Sequence, residues 1–180
     1  SFGMLCAEAE LELSEASDGL MELPEDAPVG TDLRDYLGLD DNSIEIGLTP
    51  NRADCLSVRG IAREVSVLTG VELQEPTWVS VSTEASTQIG VEVVATEACP
   101  VYAARIIEGV DNSLESPLWL QERLRRCGLR TKDPLVDVTN FVMLELGQPM
   151  HAFDANKLSG PIVVRMAQPQ ESMTLLDGKE

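Results

Sequence analysis

The chain has 180 residues, 43% of them hydrophobic and only 4% aromatic. That is enough apolar material for one medium core or two small ones, built mostly from Leu, Val, Ile and Ala. No run approaches the roughly 18 apolar residues that a membrane span needs. The formal net charge of −18 argues against a general nucleic-acid-binding surface, because phosphate binding runs on Lys and Arg, so neither DNA nor a membrane is expected as a partner and any RNA contact must be local.

Acid is concentrated between Glu8 and Glu45, interrupted by turn signals at Asp18-Gly19, Pro24, Ala27-Pro28 and Val29-Gly30. This stretch reads as short strands and loops, with Leu20–Leu23 a candidate strand. Thr31 is placed to cap a short helix through Leu37 that Gly38 stops. Ser43–Leu48 alternates with period two and reads as a strand. After the turn Thr49-Pro50-Asn51-Arg52, Asp54 is a plausible cap for a helix running to about Leu68, with Ile61, Val65 and Leu68 on one face and Gly70 at its end. Residues 74–90 read as a polar linker in which Val79 and Val81 allow an edge strand, and a domain boundary is expected there.

Beyond the linker, Ile89–Val93 and Val101–Ile107 read as strands. Pro117 opens a helix through Arg126 that Gly128 stops, and a second helix is expected from Asp137 to Leu146, closed by Gly147 and Pro149. Pro161–Met166 is a further strand, and Met173–Leu176 another, followed by an Asp177-Gly178 turn. The pattern as a whole predicts an α+β fold, a small mixed domain followed by part of a larger one.

The four cysteines, at 6, 55, 99 and 127, form no CxxC pair, and His151 is the only histidine. A structural zinc site needs clustered ligands. The wide spacing suits buried, reduced thiols of a cytosolic protein. The opening Ser1–Cys6 lacks the basic flank of a signal peptide and an initiator methionine, as an internal segment would. No P-loop, GxGxxG, GxSxG or HExxH is present, so a self-contained enzyme of a common class is not visible.

Three constellations remain. In Val136–Asp154, a helix beginning at Asp137 would put Thr139 and Asn140 in its first turn, where free N–H groups and the positive end of the dipole favour a polar or anionic ligand group. His151, just past the break, would turn into the same pocket. The plainer reading makes Thr139 a satisfied turn residue, Asn140 a cap-like side chain and His151 a core or surface histidine. In Thr49–Cys55, Asn51 and Arg52 can bond backbone carbonyls or a neighbouring domain, or simply build a helix entry. Arg123, Arg125, Arg126, Arg130 and Lys132 form a local basic patch that suits an RNA phosphate or a partner's carboxylates, or else are cations at a helix C-terminus.

Read together, Gly3–Cys6, Leu48–Cys55, Ile61–Val65, Val136–Asp154 and Leu175–Gly178 resemble the beta subunits of bacterial phenylalanine–tRNA ligase, in their order and approximate spacing. The string Gln148–Asp154 is the most specific. The resemblance implies that residues 1–10 end a tRNA-binding OB-type domain, that 11–75 form a small α+β domain with one long helix, that 76–87 are a linker, and that 88–180 are the incomplete first part of an editing domain of the B3/B4 type. It implies hydrolysis of tyrosine mischarged on tRNA(Phe). A hydrophobic pocket rejects an analogue that merely adds a hydroxyl by only about a hundredfold, so a second site must read the phenol. By resemblance, Thr139, Asn140 and His151 contact the amino-acid main chain or ester end of that substrate, and His151 is a candidate for orienting the hydrolytic water. The acidic residue that reads the phenol would lie beyond Glu180. Aminoacylation with ATP and Mg2+ would belong to a separate alpha subunit in a cytoplasmic alpha2beta2 enzyme, and no metal ligand is carried over to this chain. A tRNA-positioning role without chemistry is the alternative.

Overall fold

In the computed structural model the described residues are 3–15, 19–82, 87–175 and 177–180. Asp18 of the expected Asp18-Gly19 turn, Leu176 of the expected last strand and 83–86 of the linker lie outside them. The chain divides into two compact units, Ser1–Glu45 and Ile46–Glu180.

In the first unit a 3-10 turn at Ala9–Leu11 is followed by α1, Leu33–Leu37. Its cap is Asp32 rather than Thr31. Asp32 sits in extended backbone, and its carboxylate accepts from the Arg34 N–H at 2.9 Å. An Asx side chain reaches the free N–H two residues on more readily than a threonine one position earlier. Gly38, at φ +59°, closes the helix and Leu37 is buried. Leu20–Leu23 is not a strand: the bond from Met21 N–H to Cys6 O, 3.0 Å, is not extended into a ladder.

The second unit begins with a turn into a 3-10 segment, Ala53–Cys55, and then α2, Val58–Thr69. The expected start at Asp54 is displaced by three residues. Ser57 is the extended residue, and its Oγ accepts from Gly60 N–H at 3.0 Å. Gly70, at φ +71°, ends the helix as expected. Of the predicted apolar face only Ile61 is partly covered, while Leu68 is 82% exposed.

The remaining elements are β1, Val91–Val93, α3, Leu118–Arg126, α4, Pro134–Leu146, and β2, Ile162–Val164. β1 and β2 pair in parallel, Val91 opposite Ile162 and Val93 opposite Val164. A parallel pair needs a long crossover, and here both α3 and α4 lie within it. α4 packs against α2 and against α3. Leu120 and Leu124 of α3 form the buried centre, Leu124 with no exposed surface, and Trp119 meets Phe141 edge-on at 5.5 Å.

Four further strand signals overshoot. Ser43–Leu48, Val79–Val81 and Val101–Ile107 carry no strand, and Met173–Leu175 carries none either. Period-two alternation says which faces differ, not whether a partner ladder exists, and a strand without neighbours is not stable. Ile44 and Val101 are correspondingly exposed. The architecture of the described residues, helices with a small sheet, agrees with an α+β class. No helix among them is long and apolar enough to cross a membrane.

Candidate functional site

α4 starts earlier than its apolar pattern suggests. Asp133, extended at φ −154°, accepts from Val136 N–H at 3.0 Å, and Pro134 occupies the first helical position. Proline belongs there because it carries no N–H to satisfy and its φ is already helical. Asp137 is therefore not the cap. It lies inside the helix, 1% exposed, and its carboxylate accepts from Ser116 Oγ–H at 2.6 Å and from Lys132 N–H at 2.9 Å. Leu135 N–H leans toward Asn112 Oδ1 at 3.4 Å. The beginning of α4 is thus tied by side chains to the segments on either side of α3.

This moves Thr139 and Asn140 out of the first turn and into the second, so the helix-terminus argument for ligand binding does not reach them. Both are half-buried. The Thr139 hydroxyl donates to Val136 O at 2.8 Å, leaving its oxygen lone pairs to accept. Among the described residues no hydrogen bond engages the Asn140 amide or the His151 imidazole. α4 ends at Gly147, φ +78°, whose N–H returns to Met143 O at 2.8 Å. A Cβ on Gly147 would come within 3.1 Å of Ser57 Oγ, so the C-terminal end of α4 abuts the cap of α2. His151 follows in the exposed segment beyond, its ring stacked on Phe153 at 6.1 Å. Thr139 and Asn140 are adjacent on one helix. Neither hydrogen bond nor ring contact joins them to His151 among the described residues.

The basic run is partly neutralised. Arg125 Nε donates to Glu122 Oε1 at 2.8 Å, and Arg126 Nη2 lies 3.3 Å from Glu122 Oε2. Glu122 is buried, and the hydrogen bond from Arg125 holds its carboxyl below the usual range against the opposing effect of burial. Arg123 and Arg130 are exposed on the surface.

Arg52 turns inward to its own unit rather than to backbone carbonyls. It donates to both Asp54 oxygens at 3.1 Å, to Glu64 at 3.2 Å, and to Cys55 Sγ at 3.1 Å. These bonds raise the guanidinium pKa further, with Asp54 first among the causes. They also hold Asp54 low, while burial pushes the Cys55 thiol up. Asp54, Cys55 and Glu64 have ligand atoms within 4.8 Å of one another. A cation there would meet the fixed Arg52 charge and a protonated thiol, so the set does not fit a metal. The segment is a structural helix entry, as its plainer reading held. All four cysteines are free. Only Cys55 is buried, and Cys127 is exposed, against the expectation of four buried thiols.

Sequence reading missed the Asp137–Ser116 contact and the Arg52–Glu64 pair, since neither partner is local. The one available signal was Asp133-Pro134, which marks the true helix start and so frees Asp137 for another task.

The chain is similar to a family of known domains and to curated proteins. The B3/4 domain model matches residues 98–180, which takes in α3, α4, His151 and β2. The "Phenylalanine--tRNA ligase beta subunit" of Pectobacterium atrosepticum is 56% identical over 180 residues, all of this chain and 23% of that protein. The protein of the same name from Vibrio parahaemolyticus is 54% identical over 180 residues, 100% of this chain and 22% of its own length. That from Pasteurella multocida is 54% identical over 178 residues, 99% of this chain and 22% of its own. The chain spans less than a quarter of the length of the relatives it matches. With identity of this order along its whole length and a B3/4 domain in its second half, it belongs to the family of phenylalanine–tRNA ligase beta subunits, of which it is a segment.

Proposed function

We propose that this chain supplies one wall of a proofreading site that hydrolyses tyrosine wrongly esterified to tRNA(Phe). The observation that carries the reading is chain-long identity to beta subunits of phenylalanine–tRNA ligase, together with a B3/4 match covering the residues concerned. Three local features support it. Thr139 keeps acceptor lone pairs, the half-buried Asn140 amide has no hydrogen-bond partner among the described residues, and the exposed His151 imidazole has none either. Groups in that state are available to an ester and its ribose.

In this reading Thr139 and Asn140 hold the amino-acid main chain and ester. His151 orients the attacking water or bonds the terminal ribose. The phenol is read by a hydrogen-bonding group elsewhere in the pocket. Because a site that hydrogen-bonds the phenol leaves a buried polar group unpaired when phenylalanine enters, correct product escapes hydrolysis. The domain organisation follows the resemblance: an OB-type end at 1–10, a small domain at 11–75, a linker at 76–87 and part of the editing domain from 88. The alpha subunit, ATP and Mg2+ serve aminoacylation in a cytoplasmic alpha2beta2 enzyme.

A second reading makes the chain a tRNA-positioning part. The exposure of Arg123 favours it, and the engagement of Arg125 and Arg126 by Glu122 weighs against it.

Asn140→Ala and His151→Ala, each in the complete two-subunit ligase, test the first reading through deacylation of Tyr-tRNA(Phe). A fall in deacylation with phenylalanine charging retained is expected. Unchanged deacylation in both variants refutes it.

A further inference from the structure

We propose that Asp137 is a positioning residue for this site, fixing the register of α4 through Ser116 and the backbone of Lys132. The inference rests on the reading of α4 as a wall of the proofreading pocket. Asp137 is 1% exposed. A carboxyl group taken from water is costly to bury unless hydrogen-bond partners replace the lost hydration. Here two do, the Ser116 hydroxyl at 2.6 Å and the Lys132 main-chain N–H at 2.9 Å, one on each oxygen.

Packing alone does not call for this group. A hydrophobic side chain of similar volume usually stabilises a buried position at least as well as a buried charge does. What the carboxylate adds is direction. Its two bonds come from chain segments that precede α3 and α4 respectively, so sliding or turning α4 breaks both. Asn140 lies three residues on, which puts it on the same side of the helix, and Thr139 lies beside it. Both ride on a helix whose other end is lodged at Ser57. The pocket wall is therefore held at two points, and Asp137 is the polar one. A misplacement of about 1 Å at a reacting centre costs about a hundredfold in rate.

The test uses the complete two-subunit ligase carrying Ser116→Ala or Asp137→Asn. Ser116→Ala is the milder change, because the Lys132 N–H remains to serve the carboxylate. Three quantities are read: kcat and KM for Tyr-tRNA(Phe) deacylation, phenylalanine charging, and the melting midpoint. The expected result is a tenfold to hundredfold loss of deacylation kcat with charging and melting retained. Deacylation retained in both variants overturns the proposal. So does a joint fall of deacylation, charging and melting, which marks a brace and nothing more. Asn140→Ala run alongside separates the two levels. If it too leaves deacylation intact, the reading of α4 fails. If it abolishes deacylation while both clasp variants keep it, positioning by Asp137 alone fails.

Discussion

Replacing Gly60 by alanine sets two effects of opposite sign against each other. Gly60 lies inside α2, where alanine is favoured over glycine by about 1 kcal/mol. On propensity alone, Gly60→Ala stabilises the chain. The structure opposes this. A Cβ there would stand 2.0 Å from the carbonyl oxygen of Asp54, 2.9 Å from the Cα of Cys55 and 3.0 Å from the carbonyl carbon of Asp54. These are backbone atoms, with no flexible tip to swing away. Reaching even the shortest contact seen in real proteins, 3.0 Å, means moving the oxygen by about an ångström. The segment that must move is pinned by Cys55 N–H to Arg52 O at 3.0 Å, by the buried Cys55 side chain and by the Arg52 bonds to Asp54 and Glu64. Overpacking of this kind costs roughly 1–3 kcal/mol, and rigid backbone places it at the upper end. The net is a destabilisation of about 2 kcal/mol, which lowers the melting midpoint by roughly 4–8 °C for a chain of this size. Thermal unfolding followed by far-UV circular dichroism, with urea unfolding as a check, reads it directly. A variant that melts at or above the parent refutes the steric argument and leaves propensity in charge.

Leu124→Ala removes a side chain with no exposed surface at the α3–α4 contact and is expected to lose about 2–5 kcal/mol in urea unfolding. Asp133→Ala strips the α4 cap and should lose about 1 kcal/mol, while Asp137, buried and bonded elsewhere, leaves no substitute. The lowered Glu122 pKa makes its contribution to stability complete above the unfolded-state pKa and lost as pH falls through the folded-state value. Acid titration of stability should therefore be flatter in Glu122→Gln, and equal slopes would remove Glu122 from the account. Charge reversal at Arg123 and Arg130 should weaken tRNA binding to the complete ligase and flatten its salt dependence if the surface is an RNA contact. Reversal at Arg125 and Arg126 should mainly destabilise α3, because Glu122 then faces two carboxylates.

Punctuation by proline and glycine carried the helices: Pro117, Gly128, Gly147, Gly38 and Gly70 mark ends that the structure keeps. Helix starts were less legible. Asp54, Ser57, Asp133 and Asp137 all precede apolar runs, and only geometry decides which of them is extended. Strands were the weakest reading, because a ladder depends on a distant partner and alternation is local. β1 and β2 are each shorter than their apolar stretches, and only the paired residues count. Of the candidate site, the residue types at Thr139, Asn140 and His151 could be singled out, but the first-turn placement proposed for two of them was wrong once Asp133 took the cap. The contact of Ser116 with Asp137 spans 21 positions, and no local pattern announces such a pair.

The parallel pairing of β1 with β2 also sets a timetable. Val91 leaves the ribosome about seventy residues before its partner Ile162, and at roughly 5–20 residues per second that is an interval of about 4–14 s. Among the described residues β1 pairs only with β2, while α3 and α4 between the strands can form and dock on one another over that time. The β1–β2 pairing must therefore wait until α3 and α4 have been synthesised, and a chaperone that shields extended apolar stretches would find Val91–Val93 without its β2 partner until then.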